Sequence, residues 1–180
     1  MPAQGETTGA RGDTWHGVVN ALGTVNKTPL FDSAVWIAEL TWSHWNNVRS
    51  GGDLFMGLDY AQCKGLTKWD QCVTKDYVGT GVGFTPTWFQ VLPGVDLQAP
   101  VTYAVGLKGN AATVFGGNQG LGNYTVGLGA DVRQKYRFDL KYIDFVGRYH
   151  DLPNGTISPN GLTTFLKDRG FLSLTFKTTF

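Results

Sequence analysis

From Gly170 to Phe180 the chain reads GFLSLTFKTTF and alternates to its last residue. Leu172, Leu174, Phe176 and Phe180 fall on one face, and Ser173, Thr175, Lys177 and Thr179 on the other. A period of two specifies a β-strand with one apolar face and excludes a helix. Chain ends usually fray, so an aromatic terminus that continues the apolar face is itself a constraint.

The same period recurs upstream, giving about seven strands, each near the ~9–11 residues of a tilted membrane strand. From Thr14 to Val25, Trp15, Val19, Ala21 and Val25 share a face. From Ser33 to Trp45, Ala34, Trp36, Ala38, Leu40 and Trp42 oppose Glu39, Thr41 and Ser43. From Tyr77 to Leu92, Val82, Phe84 and Trp88 oppose glycines and threonines, with Pro86 a flaw in the ladder. Val101, Tyr103, Val105 and Leu107 oppose Thr102, Gly106 and Lys108. Tyr124, Val126, Leu128 and Val132 oppose Thr125, Gly127, Gly129 and Asp131. Tyr136, Phe138, Leu140 and Tyr142 oppose Arg137, Asp139 and Lys141, with a slip in phase near Asp144 that implies a bulge or an extension beyond the membrane.

Connections alternate between short and long. Asn26 to Pro29, Pro93 to Asp96 and Arg133 to Lys135 are short, whereas 46–76, 109–122 and 150–169 are long. Outer-membrane barrels pair short periplasmic turns with long extracellular loops. Cross-strand partners share a face. The odd turn Arg133-Gln134-Lys135 therefore sets Asp131 opposite Arg137, and an even turn from Pro93 to Asp96 sets Trp88 beside Val101.

A soluble barrel or sandwich would show the same alternation turned inside out. Trp and Tyr near strand ends, as in interfacial girdles, favour the membrane form. The expected lipid-facing girdle is Trp36, Trp42, Trp88, Tyr103, Tyr124, Tyr136, Tyr142, Phe176 and Phe180; the expected lumen lining is Glu39, Lys108, Asp131, Arg137, Asp139, Lys141 and Lys177. The lining reads either as a polar path or as pairs that hold the wall together, the second being favoured for Asp131 with Arg137. No run of 18 apolar residues provides a transmembrane helix, and half-apolar strands would provide none either. A net charge of +1 gives no reason to expect a nucleic-acid partner.

Cys63 and Cys72 enclose a polar stretch without histidine, which favours a small disulfide loop over a metal site. No metal or other cofactor is expected. His16, His44 and His150 are the histidines, and His150 adjoins Asp151. Without a Gly-x-Ser-x-Gly elbow the chain offers no nucleophile motif, so it is read as a non-enzyme, with a hydrolase at the outer rim as the weakest alternative. Gly79-Thr80-Gly81-Val82-Gly83 lies within a strand and precedes no helix, which removes a nucleotide loop.

The terminal strand resembles the ending by which outer-membrane barrels are handed to their assembly machinery, although Thr178 sits where an apolar residue is more usual. TWHGVVNALGTVNKTPLFDSAVWIAELTWSHWNNV, the two-cysteine loop and FLSLTFKTTF together resemble the carboxy-terminal part of a proteobacterial family of long outer-membrane barrels, common in pseudomonads and catalogued as a domain of unknown function. The resemblance implies an integral outer-membrane protein of a Gram-negative bacterium, porin-like, that transports, with hydrophobic compounds among the candidates. It carries over no catalytic residue. Implied partners are outer-membrane lipid and lipopolysaccharide, and the assembly machinery through the strand ending at Phe180; periplasmic or exporter partners stay open. A structural or partner-binding outer-membrane protein is the alternative. Family members carry a signal peptide and more strands. With single-chain barrels even in strand number, the expectation is one all-β domain over 1–180: an antiparallel up-and-down transmembrane sheet forming the carboxy-terminal part of a larger barrel. A polar leader at 1–13 and an extracellular loop at 46–76 complete it.

Overall fold

The structure is a computed structural model that describes residues 9–113, 116–151 and 154–179. It is all-β. In chain order the strands are β1 (Arg11–Val25), β2 (Ser33–Ser50), β3 (Asp76–Leu92), β4 (Val95–Gln98), β5 (Val101–Lys108), β6 (Gly122–Val132), β7 (Tyr136–Val146), β8 (Tyr149–Asp151), β9 (Ile157–Pro159) and β10 (Phe171–Thr178). Eight of them form one antiparallel meander, β1-β2-β3, then β4 and β5 end to end between β3 and β6, then β6-β7-β10. All seven expected strands are present, and β1 and β10 are the two edges of the sheet. β8 and β9 form a separate small hairpin.

Three expectations need correction. The polar leader ends before position 13, because Arg11 to Asp13 already pair with β2 and Asp13 Oδ2 accepts from Arg49 Nε at 2.7 Å. Residues 1–8 lie outside the described residues. The loop after β2 is shorter than 46–76, since β2 runs to Ser50. Trp88 lies opposite Leu97, and Val101 opposite Phe84. The turn is only Pro93-Gly94, with Gly94 at φ 77°. A register shift between Trp88 and Leu92 takes up the residues assigned to that turn. Gln90 sits there at φ 49°, and its N–H donates to Asp96 Oδ1 at 2.7 Å. Pro100 interrupts the strand after Gln98 because it has no N–H to donate, yet its carbonyl still accepts from Gly127 at 2.8 Å.

The turn at Arg133 to Lys135 is as expected, with Asp131 opposite Arg137. Arg133 and Gln134 both take left-handed backbone (φ 53° and 55°), the twist that suits a tight hairpin. The bulge expected near Asp144 is not there: β7 keeps its register on β6 through Asp144 to Val146, and Tyr149–Asp151 then pairs with β9.

Among the described residues no closed apolar core lies under the sheet. Leu174 is 75% exposed, and Phe176, Phe138 and Tyr136 are exposed beside it. The buried hydrophobic residues among those described are Ala34, Phe55, Cys63 and Cys72, and all but Ala34 belong to a loop.

Candidate functional site: a polar face and its loop cap

Pairing registers assign every strand residue to one of two faces, since direct partners share a face. Trp36, Phe84, Val101, Val126, Tyr142 and Leu172 form one continuous row, each paired with the next. Trp42, Trp88, Tyr103, Tyr124, Tyr136 and Phe176 fall on that same aromatic face. Small residues lie beneath the indoles: a Cβ at Gly23 would strike the Trp36 ring, and one at Gly17 would touch Trp42. Phe180, expected in this set, lies outside the described residues.

The opposite face is graded along the strands. Near the short hairpins, Asp96 lies opposite Asp131, Asp131 opposite Arg137, and Arg137 opposite Lys177. Asp131 makes no hydrogen bond to Arg137. The guanidinium turns along its own strand to Asp139, Nη2 to Oδ1 at 2.9 Å and Nε to Oδ1 at 3.1 Å, and Nη2 also donates to Gln98 Oε1 at 2.9 Å. Gly129 makes this possible, because a Cβ there would stand 2.9 Å from both partners. One row further on, Gly127 lies opposite Lys141. Above these charges runs a row of Leu22, Ile37, Gly83, Thr102, Thr125, Ile143 and Phe171, apolar at both ends. Glu39 sits in the next row, between Asn20 and Gly81. Lys108 departs from expectation. The shift between Val78 and Gly79 sets it opposite Val78, on the aromatic face near Asp76.

At the other end the long loops fold over the polar face. Trp45, on that face, packs edge-on against Phe55 (5.3 Å) and Tyr60 (5.9 Å) of the first loop, with Lys75 Nζ 3.9 Å from its ring centre. Its Nε1 is buried without an acceptor. The second loop leans on Tyr77, whose hydroxyl would collide with a Cβ at Gly117. The Cys63–Cys72 disulfide, expected because no further metal ligand accompanies the pair, closes the first loop. Within that loop, short 3₁₀ turns at Gly52–Leu54 and Ala61–Cys63 flank a lone bridge from Gly57 to Val73.

Two fully buried asparagines join the three loops. Asn110 Nδ2 lies 2.6 Å from Lys68 O, 2.9 Å from Cys72 O and 3.0 Å from Asn160 Oδ1, while its Oδ1 accepts from Gln119 N at 3.0 Å. Asn160 Nδ2 donates to Gln119 O at 2.9 Å. Asp70 forms the second junction. It accepts from Ser158 Oγ at 2.6 Å and from Thr67 N and Oγ1 at 2.9 Å, and lies 3.2 Å from His150 Nε2. Burial alone would raise its carboxyl, but these donors outweigh it and hold the group below the ordinary carboxylate range.

His150 therefore pairs with Asp70, not with its neighbour Asp151. Ser158, His150 and Asp70 meet, yet Ser158 and His150 share one carboxylate oxygen as partner, so Ser158 donates to the acid and not to the imidazole, unlike a nucleophile–histidine–acid relay. His44 stacks on Trp42 and lies 2.9 Å from Asp76, and His16 lies 2.9 Å from the Thr14 hydroxyl. Asn110, Asn160, Asp70 and Arg148 were not singled out from sequence; isolated polar residues in long loops have no period to mark them.

An all-β antiparallel meander, aromatic on one face and polar on the other, with knitted loops at one end, is the class of structure present. A family model described as "Protein of unknown function (DUF1302)" matches residues 4–180, and the chain belongs to that family. No curated protein and no solved structure matches it.

Proposed function

We propose that the sheet is part of the wall of an integral β-barrel in the outer membrane of a Gram-negative bacterium, and that the barrel is a passive channel or transporter. The observation that carries the reading is the uninterrupted exposed aromatic and aliphatic face on all seven strand positions, with almost no apolar burial elsewhere in the sheet. In water so large an apolar surface demands a cover; in a bilayer the hydrocarbon is the cover. Edge groups of β1 and β10 in lipid would cost several kcal/mol each, so further strands close the sheet. The polar face is then the lumen lining. Its charged rows near the hairpins form a polar path, and its row of Leu22, Ile37, Ile143 and Phe171 suits hydrophobic cargo. Lipid and lipopolysaccharide contact the aromatic face, and β10 is the strand handed to the assembly machinery.

Protein reconstituted in planar bilayers tests the channel. Stepwise conductance is expected, with altered ion selectivity for Lys141→Glu. Folded, inserted protein that passes neither ions nor solute would sink it. A structural or partner-binding role is favoured by one observation, the ordered cap, whose buried asparagines hold three loops in one shape.

A further inference from the structure

Next to the Asp70 junction an open pocket of about 350 Å³ is lined by Thr67, Trp69, Arg148, Tyr149 and His150. It draws on two loops that meet only through the cap. Cations crowd it. Arg148 Cζ lies 5.0 Å from the centre of the Trp69 ring, Lys68 Nζ lies 4.9 Å from the same ring, and Lys167 Nζ lies 5.1 Å from the Tyr149 ring. Among the described residues none of these three ion-pairs with a carboxylate; Lys68 donates to the Gln119 amide oxygen. The acid at hand, Asp70, is nearly buried and already holds Ser158, Thr67 and His150.

A guanidinium without an acid partner, held against an indole, is a fork for a phosphate or carboxylate. Two aromatic walls beside it offer flat surfaces to a ring. The volume is near the lower end of small-molecule pockets and suits a sugar of one or two rings. We propose that this pocket binds a phosphorylated sugar, with the phosphate on Arg148 and the sugar ring against Trp69 and Tyr149. The chemistry is shared by a free sugar phosphate and by the phosphosugar headgroup of a glycolipid. The site does not depend on the channel reading.

Full-length protein in detergent is titrated with glucose 6-phosphate, inorganic phosphate and glucose, followed by calorimetry. Glucose 6-phosphate should bind more tightly than either component. Arg148→Gln should weaken it by about 10–100-fold, the loss of a charge-assisted pair. Arg148→Lys should fall between. Trp69→Leu should bring glucose 6-phosphate down to the affinity of inorganic phosphate. Because Trp69 packs in the cap, Tyr149→Leu provides the same comparison at an exposed residue. Vesicles carrying a phosphorylated glycolipid, compared with phosphatidylglycerol vesicles, separate the sources: preference for the first assigns a lipid headgroup, and binding of the soluble sugar phosphate alone assigns a free ligand. Equal affinity for glucose 6-phosphate in Arg148→Gln and in the parent, or no binding of any phosphosugar, overturns the proposal. Conductance enters neither outcome, so the site and the channel stand or fall separately.

Discussion

In the wall, β1 to β7 and β10, large apolar side chains stay exposed and the buried side chains are Ala34 and Asp139. In the cap, which is made of loops, lie Phe55, Cys63, Cys72, Asn110, Asn160 and Thr164, all buried. Globular proteins reverse this, with loops at the surface and elements around a core. The wall is held by ladder hydrogen bonds and, in the proposed reading, by lipid against its aromatic face. The cap has only the short β8–β9 ladder and little apolar area, so it relies on a covalent link and on amides whose donors and acceptors are used. The two regions should therefore fail under different perturbations.

The largest effect is expected in the wall. Leu140 pairs with Leu128 and Leu174 on the aromatic face, and Thr125 pairs with Thr102 and Ile143 on the polar face. Leu140→Arg should cost about 2–4 kcal/mol in lipid if it lies near the bilayer midplane. Thr125→Arg should cost far less. Denaturant unfolding in vesicles measures both. Equal costs would mean that the faces do not differ in solvent, and the membrane reading would fail with them. Neither change should disturb the cap.

A smaller effect is expected in the cap. The ring closed by Cys63 and Cys72 has a sequence separation of 9, for which chain entropy contributes at most about 3 kcal/mol. Reduction, or replacement of both cysteines by serine, should strip hydrogen-exchange protection from the first loop and from Asn110, whose Nδ2 is anchored on Cys72 O. β2 and β3 should keep theirs. Loss of protection across the sheet would show that wall and cap unfold together.

The contrast also explains what could be read from the chain. Strand periodicity depends only on which solvent each face meets, so Trp36, Phe138 and Leu174 were legible as one face. The parity of Arg133 to Lys135 fixed Asp131 opposite Arg137. Bulges broke the same logic at Trp88 and at Lys108, because an extra residue in one strand shifts every partner beyond it. The ion pair went astray for another reason: a backbone register places Cα atoms, while the guanidinium of Arg137 chose the carboxylate two residues along its own strand. Cap residues such as Asn160 and Asp70 act across sequence separations of 50 and 88, where no local pattern reports them.

The smallest effect is a titration confined to the cap. The carboxyl of Asp70 is depressed, so its contribution is fully present above the ordinary carboxylate value of about 3.9 and is lost as pH falls through its lower value in the fold. Protonation removes the charge that Ser158, Thr67 and His150 address, and it loosens the first loop from the β8–β9 hairpin. Proteolysis of the loops, followed from pH 6 downward with an acid-stable protease, should rise below about pH 4 while the sheet stays intact. Asp70→Asn keeps an acceptor of similar size but does not titrate, so its loop should be cut at one elevated rate across the range. An acid limb that survives in Asp70→Asn would place the titrating group elsewhere. A limb shared by cap and sheet would remove the division between the two regions that the larger effects are designed to expose.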